Sequence, residues 1–380
     1  MIYLRLMVDN LYMFKDTVVD FTYPRKNPAS TIEHEFLKEF PNIRFKRVCI
    51  LMGANASGKT TLGKLLCAIN NYLHGRPLDS VNKIIHDKSK PAHVDVIYIT
   101  PHNDTIHQLT VTFNNAELLS EVYRSQPLYK SKSLDKTLED LKNSPPKHHF
   151  PKLVPNMLKN TGEAPVFFSP AVAAGYHLDD VTNTVWHYMY SEFSDASSNF
   201  EHGNITLLES ILKVFDPSIL SVNAISGTEN AYVIKFTGGD SVIVEDGKLA
   251  NPERLSRGTI ESIEVAQFIN AIEQQKNNSG TFFLDEKMAY SHTEIEAAIL
   301  NLMIEKLNPY SQLFYTTHNY DILEMNLPSH SFIFMKKDDY ITVKQPEKMK
   351  FAKNDRSLLG YVKNDVFGTI PDISGIDDLL

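Results

Sequence analysis

Between Ile2 and Phe21 the apolar positions alternate: Ile2, Leu4, Leu6 and Val8, then Val18, Val19 and Phe21 after the polar Lys15-Asp16. A spacing of two places one set of side chains on one face, so this stretch predicts two strands of a hairpin. Tyr23 to Arg44 is rich in Pro, Lys and Glu and predicts a connection with one helical turn. Val48 to Met52 is apolar without interruption, the pattern of a strand buried on both faces of a parallel sheet. From Thr61 to Tyr72 the spacing becomes helical, with Leu62, Leu65, Leu66 and Ile69 on one side. Val94 to Ile99 and Leu109 to Phe113 return to strand patterns around a turn signal at Asn103-Asp104, and Glu117 to Tyr123 predicts a third strand. Together these suggest an antiparallel sheet beside the first helix.

Further on, Asp179 to Leu220 predicts helices. Trp186, Tyr188, Met189 and Phe193 form one apolar stripe and Leu207, Leu208, Ile211, Leu212 and Phe215 another, both expected to pack in the core. Asp216-Pro217 ends the second helix. Ala231 to Phe236 and Ser241 to Val244 flank Gly238-Gly239 and predict a hairpin. A helix is expected over Ile260 to Gln275, and strands over Gly280 to Glu286 and Gln312 to Asn319. This divides the chain into 1–124, a helical and partly basic insertion over 125–220, and 221–380. The fold class expected is α/β, with a mixed or parallel sheet, an antiparallel β-subdomain and the helical insertion.

The polar residues at the strand ends carry the chemistry. After Met52 comes Gly53-Ala54-Asn55-Ala56-Ser57-Gly58-Lys59-Thr60, which fits G-x-x-x-x-G-K-[ST] between a strand and a helix. That context makes it a phosphate-binding loop. Backbone N–H groups at a helix start donate to an anion, and Gly53 and Gly58 let the backbone curl. Lys59 would reach the β- and γ-phosphates, and Thr60 would ligate Mg²⁺. Asp285, at the end of a buried strand, can support that metal. Glu286, next to it, can orient or deprotonate a water. His318 ends another apolar strand and can hydrogen-bond a γ-phosphate. Three strand ends, after Met52, Leu284 and Tyr315, would then meet at one sheet edge, where ligands bind in α/β folds. Leu255-Ser256-Arg257-Gly258-Thr259 opens the helix before Asp285 and offers a second anion-binding end.

Composition narrows this little. The 380 residues carry a formal charge of −8, so any nucleic-acid contact needs a local basic patch. The most basic part is Ser125 to Val154, with Lys130, Lys132, Lys136, Lys142, Lys147 and Lys152. It reads as a solvated face or, functionally, as a contact for DNA or a partner. The two cysteines, Cys49 and Cys67, sit in the apolar strand and the following helix and read as core residues of a reducing compartment. No apolar run reaches membrane-spanning length, and the N-terminus lacks a signal-peptide layout, so a cytoplasmic protein is expected.

The order of phosphate loop, Leu-Ser-x-Gly, Asp-Glu and His resembles the ABC-type ATPase superfamily, within it the SMC, RecF and OLD branch. Leu11 to Asp16 is similar to that branch's opening segment, and Asn55 stands where its loop often carries Asn. LSRGT at 255–259 resembles its signature, Asp285 to His292 its Asp-Glu segment, and TTHN at 316–319 its switch-histidine segment. Lys287 stands where a proline or apolar residue is more usual. The glutamine that senses the γ-phosphate has only Gln108 as a candidate. The closing stretch (351–357, Tyr361 and Phe367 to Pro371) resembles stand-alone bacterial ATPase subunits of RloA-type and PARIS-type anti-phage pairs.

The resemblance implies ATP and Mg²⁺ bound through Gly53, Asn55, Ser57, Gly58, Lys59, Thr60 and Thr61, with metal held by Thr60 and Asp285. It implies catalysis by Glu286 with Lys59 and His318. Ser256 and Gly258 would complete the site of a second copy, giving an ATP-sandwich homodimer or higher homo-oligomer that regulates a separate effector. The alternative is a DNA-maintenance ATPase of RecF or SMC kind that binds DNA directly.

Overall fold

In the computed structural model, the described residues are 1–23, 30–78, 84–115, 117–151, 168–176, 184–197, 203–228, 231–275, 278–289, 291–349 and 358–370. The hairpin expected at the N-terminus forms from Ile2–Asp9 (β1) and Thr17–Asp20 (β2). With Ala92–Thr100 (β6), Thr105–Phe113 (β7), Leu118–Pro127 (β8) and His148–Phe150 (β9) it makes an antiparallel sheet ordered β2-β1-β6-β7-β8-β9. The stretch before Val48, expected as a connection with a helical turn, instead pairs Phe36–Leu37 (β3) with Phe40–Arg44 (β4). Leu37, Phe40 and Ile43 bury their side chains against the outer face of the antiparallel sheet, and that burial draws the segment into a hairpin.

The second sheet is mixed. Val48–Met52 (β5), Thr184–Met189 (β10), Ser279–Asp285 (β16), Gln312–Thr317 (β17) and Phe332–Lys337 (β18) run parallel in the order β10-β16-β17-β5-β18. Ser194–Ala196 (β11) and Ile341–Lys344 (β19) are antiparallel at its two edges. Both faces are covered, which explains the unbroken apolar runs. Cys49 and Leu51 pack with Phe283 and Phe314 toward the antiparallel sheet and helix Lys59–Leu73 (α1). Val48, Ile50 and Met52 pack with Phe282 and Leu313 on the other face, under helices Ile205–Phe215 (α3), Arg257–Gln274 (α4) and Thr293–Lys306 (α5).

The 184–189 run corrects the helical expectation for Asp179 to Leu220. Trp186, Tyr188 and Tyr190 share one core, Met189 faces the other, and Phe193 is exposed. That is a period of two, which a helical reading of Trp186, Tyr188 and Met189 misses. The run pairs in register with β16, Tyr188 opposite Phe283. Among the described residues of that stretch α3 is the only helix, ending at Phe215 before Asp216-Pro217. Among its described residues the basic stretch holds one helix, Leu134–Asn143 (α2), capped by Ser133. The C-terminal half adds a small antiparallel sheet of Ile219–Ala224 (β12), Ala231–Phe236 (β13), Ser241–Glu245 (β14) and Lys248–Leu249 (β15), and the short helix Leu358–Lys363 (α6). Cys49 and Cys67 are both buried thiols. Among the described residues no helix is long and apolar enough to cross a membrane.

His187 lies buried in β10 against Phe268, and burial pushes its imidazole down to about 4 from an ordinary 6.5. The folded state therefore holds it neutral, while the unfolded chain binds a proton below 6.5. Its contribution is complete above pH 6.5 and is lost as pH falls toward 4, on the order of 3 kcal/mol. Urea titrations at pH 7 and pH 4.5 should show this acid loss in the wild type and a flatter profile in His187→Gln. Equal slopes for both proteins would contradict a buried neutral His187.

Candidate functional site

The sheet order places three polar strand ends side by side. Asp285 at the end of β16 pairs with Thr316 of β17, and Thr317 pairs with Met52 at the end of β5. The chain leaves β5 through Gly53 and enters α1 at Lys59. A Cβ on Gly53 would lie 2.2 Å from the Met335 carbonyl oxygen of β18, so glycine is needed there for strand packing as well as loop shape. Gly58 has φ 102° and is the α1 N-cap, with no side chain to satisfy the helix's first N–H groups. Asn55 and Ala56 are exposed at the loop tip, Ser57 and Lys59 are buried, and Thr60 and Thr61 are half-buried.

Four of the residues singled out by the sequence meet here. Lys59 Nζ donates to the carbonyls of Gly53 (2.8 Å) and Ala54 (3.1 Å) and pairs with Glu286 Oε1 at 2.9 Å. Thr60 Oγ1 donates to Asp285 Oδ2 at 2.7 Å. The other carboxylate oxygen, Oδ1, accepts from Thr316 Oγ1 at 2.8 Å, and that hydroxyl accepts the Glu286 N–H at 2.9 Å. Glu286 has φ 48°, a left-handed conformation that costs about 1–2 kcal/mol for a non-glycine residue. The Thr316 contact holds it there and turns the chain sharply away from the strand. Burial pushes the Asp285 carboxyl above its ordinary value, outweighing the two hydroxyl bonds, with neighbouring Glu286 acting in the same sense.

Ser256 and Gly258 are exposed and lie elsewhere in the chain. Ser256 caps α4 through Oγ, which accepts the Thr259 N–H at 3.1 Å, so this helix starts three residues earlier than expected. Gly258 borders Lys287, Ser291 and His292, beyond the acidic strand end, and not the phosphate loop. His318 is exposed just past β17. Its neighbours are gripped by buried Glu296 of α5, which accepts from Thr317 Oγ1 at 2.9 Å and from Asn319 Nδ2 at 2.7 Å. Gln108 sits within the antiparallel sheet on β7, donating to Asp95 at 2.6 Å, so it is not a residue of this edge.

Sequence reasoning assigned no role to Thr316, Glu296 or the pair between Lys287 and Glu264. Lys287 is buried, and its Nζ lies 2.7 Å from Glu264 Oε2 on α4, tying the turn after Glu286 to the signature helix. The departure at position 287 was the available signal. Only the fold supplies its partner.

The donor set fits a nucleotide and a hard divalent cation. Thr60 and Asp285 present oxygens 2.7 Å apart. Ser57 Oγ is buried with no hydrogen-bond partner among the described residues, and α1 begins without a side-chain cap, both suited to a phosphate acceptor.

No protein-family model matches the chain, and no curated protein matches it in sequence. Among solved structures it is similar to an SMC head bound to the C-winged-helix domain of ScpA, at 13% identity over 90% of this chain and 97% of that one, with TM-score 0.45. It is also similar to the SMC head domain from Thermotoga maritima (12%, 91% and 99%, TM-score 0.38). A third is the recombination mediator protein RecF of the RecFOR pathway (10%, 90% and 97%, TM-score 0.40). The α/β arrangement of mixed and antiparallel sheets and the chemistry both rest on this chain's own residues.

Two predictions follow from the buried charges. Because the folded pKa of Asp285 is raised, the folded state binds the proton more tightly, and stability falls as pH rises through its titration. Asp285→Asn should melt ~2 °C higher than wild type at pH 7 in the absence of nucleotide, a gap that closes as pH falls to the ordinary carboxyl value. An equal or lower melting point at pH 7 would contradict this. For the Lys287–Glu264 pair, removing the acid strands a buried ammonium. Glu264→Ala should cost about 2 kcal/mol in urea denaturation, Lys287→Met much less, and the double variant should resemble Lys287→Met. Additive losses would mean that the pair is not coupled.

Proposed function

We propose that this chain binds and hydrolyses ATP as an ABC-type ATPase and works in the cytoplasm as an ATP-gated homodimer. The observation that carries the reading is the meeting of Lys59, Thr60, Asp285 and Glu286 at one sheet edge through contacts of 2.7 and 2.9 Å. Bound there, ATP with Mg²⁺ supplies a triphosphate whose terminal phosphoryl group passes to water. In this reading Gly53 to Thr61 cradles the phosphates, with Asn55 at the loop tip and Ser57 Oγ as a further donor. Thr60 Oγ1 and the Asp285 carboxylate hold the cation. A phosphate competes with Glu286 for Lys59, which frees Glu286 to take a proton from the attacking water. His318, exposed between two residues fixed by Glu296, is suited to read the γ-phosphate.

Ser256 and Gly258, exposed at the start of α4, are the surface that would cap the nucleotide held by a second copy. Two nucleotides would be buried head to tail, and hydrolysis, by removing the group both copies share, would loosen the dimer. The separate effector and the role in bacterial anti-phage defence rest on the closing-segment resemblance. Of that segment Tyr361 and Phe367 to Ile370 are described, and 351–357 and 371–380 lie outside the described residues.

The direct DNA-binding alternative finds less support. Lys130 pairs with Glu39 at 2.6 Å, Lys132 with Asp140 at 2.6 Å, and Lys136 with both Glu139 and Asp140, so the basic stretch is partly neutralised. Lys152 lies outside the described residues.

Glu286→Gln should keep ATP binding, lower turnover by about 10²-fold or more, and double the solution mass in ATP·Mg²⁺. Light scattering with phosphate release checks this, and a variant turning over at the wild-type rate removes Glu286 from the role of base.

A further inference from the structure

Lys287 is an expensive residue where it stands. It follows the acidic pair at the end of β16, and its side chain is 5% exposed. An ammonium taken out of water is strongly destabilising unless an acid meets it. Glu264 of α4 does so at 2.7 Å, from a side chain that is 35% exposed. An apolar side chain of similar size often holds a fold as well as such a pair does. What the pair adds is a fixed register between two segments.

The first segment is the turn that carries Glu286. The Glu286 N–H is held by Thr316 Oγ1 at 2.9 Å, and its carboxylate lies 2.9 Å from Lys59 Nζ. Met288 is buried in the core just beyond, and its carbonyl accepts the Ser291 N–H at 3.0 Å. The second segment is α4, whose N-terminus exposes Ser256 and Gly258. Glu264 lies two helical turns from that end, about 12 Å along the axis.

The turn and the start of α4 do not close on one another. Gly258, Glu261 and Ser262 of α4 line a cleft of about 110 Å³ together with Lys287, Ser291 and His292. The ion pair therefore spans the two segments beside a gap, where packed side chains would otherwise transmit a displacement.

Resting on the ATPase reading above, we propose that Lys287 is a positioning residue that makes the turn of Glu286 and helix α4 move as one body. When a phosphate displaces Glu286 from Lys59, the turn shifts, and the pair with Glu264 carries the shift to Ser256 and Gly258. In a head-to-tail dimer those residues face the second copy's nucleotide. The state of one site then sets the surface offered to the other, and the two sites are coupled through a single ion pair.

Phosphate release by the full chain over a series of ATP concentrations, with Mg²⁺, tests this. Wild type should be cooperative, with a Hill coefficient of about 1.5 to 2 for two coupled sites. Lys287→Met and Glu264→Gln should each bring the coefficient to about 1 and lower kcat about 10-fold. The double variant should match the single ones, because the same link is lost in all three. A wild type that hydrolyses ATP without cooperativity, or a Lys287→Met variant that keeps the wild-type coefficient, overturns the coupling and leaves the ATPase reading standing. Losses that multiply in the double variant do the same. A wild type that releases no phosphate overturns both readings.

Discussion

The Asp285 carboxylate joins the segments that meet at the candidate site. One oxygen holds Thr60 at the start of α1, and the other holds Thr316 at the end of β17, which in turn fixes the Glu286 backbone. Two segments, 225 and 31 residues away in sequence, are thus registered on one side chain. The cost is a carboxylate held in an environment that burial makes unfavourable for its charge. Such a cost is expected where a group is kept ready for a cation.

The same edge carries a second restraint. Lys59 bridges its own loop and Glu286, so the cation of the loop and the acid of the strand neutralise one another. Under the proposed function an incoming phosphate would compete with Glu286 for that ammonium, coupling binding to release of the acid. The turn after Glu286 is tied separately to α4 through Lys287 and Glu264, and the residues around His318 are tied to α5 through Glu296. These two loops are therefore anchored to different helices of the layer beneath.

The surface chemistry is quieter. Three of the six lysines of the basic stretch, Lys130, Lys132 and Lys136, pair with acids on α2 or beside β3, interactions of small net energy that still lower the local positive potential. Ser256 and Gly258, exposed at the start of α4, are better candidates for recognition under the proposed function, because they are accessible.

Local pattern alone determined much here. The unbroken run at Val48 to Met52 read as a strand covered on both faces and forms one, and the glycine loop after it read as a turn into a helix and forms that turn; the phosphate role proposed for it rests on the motif. The acidic pair ending Gly280 to Glu286 was legible in the same way. Tertiary structure decided the rest. Trp186 and Tyr188 form a strand because a parallel neighbour, β16, offered backbone pairing and a core for alternate side chains, which no window of sequence contains. The hairpin at Phe36 to Arg44 formed because the outer face of a sheet needed cover. Gln108, plausible by position, went to the antiparallel sheet. Thr316, Glu296 and the Lys287–Glu264 pair gained their roles from partners 20 to 40 residues away or more, since a hydrogen bond or ion pair depends on where the fold brings two groups, not on either residue's type.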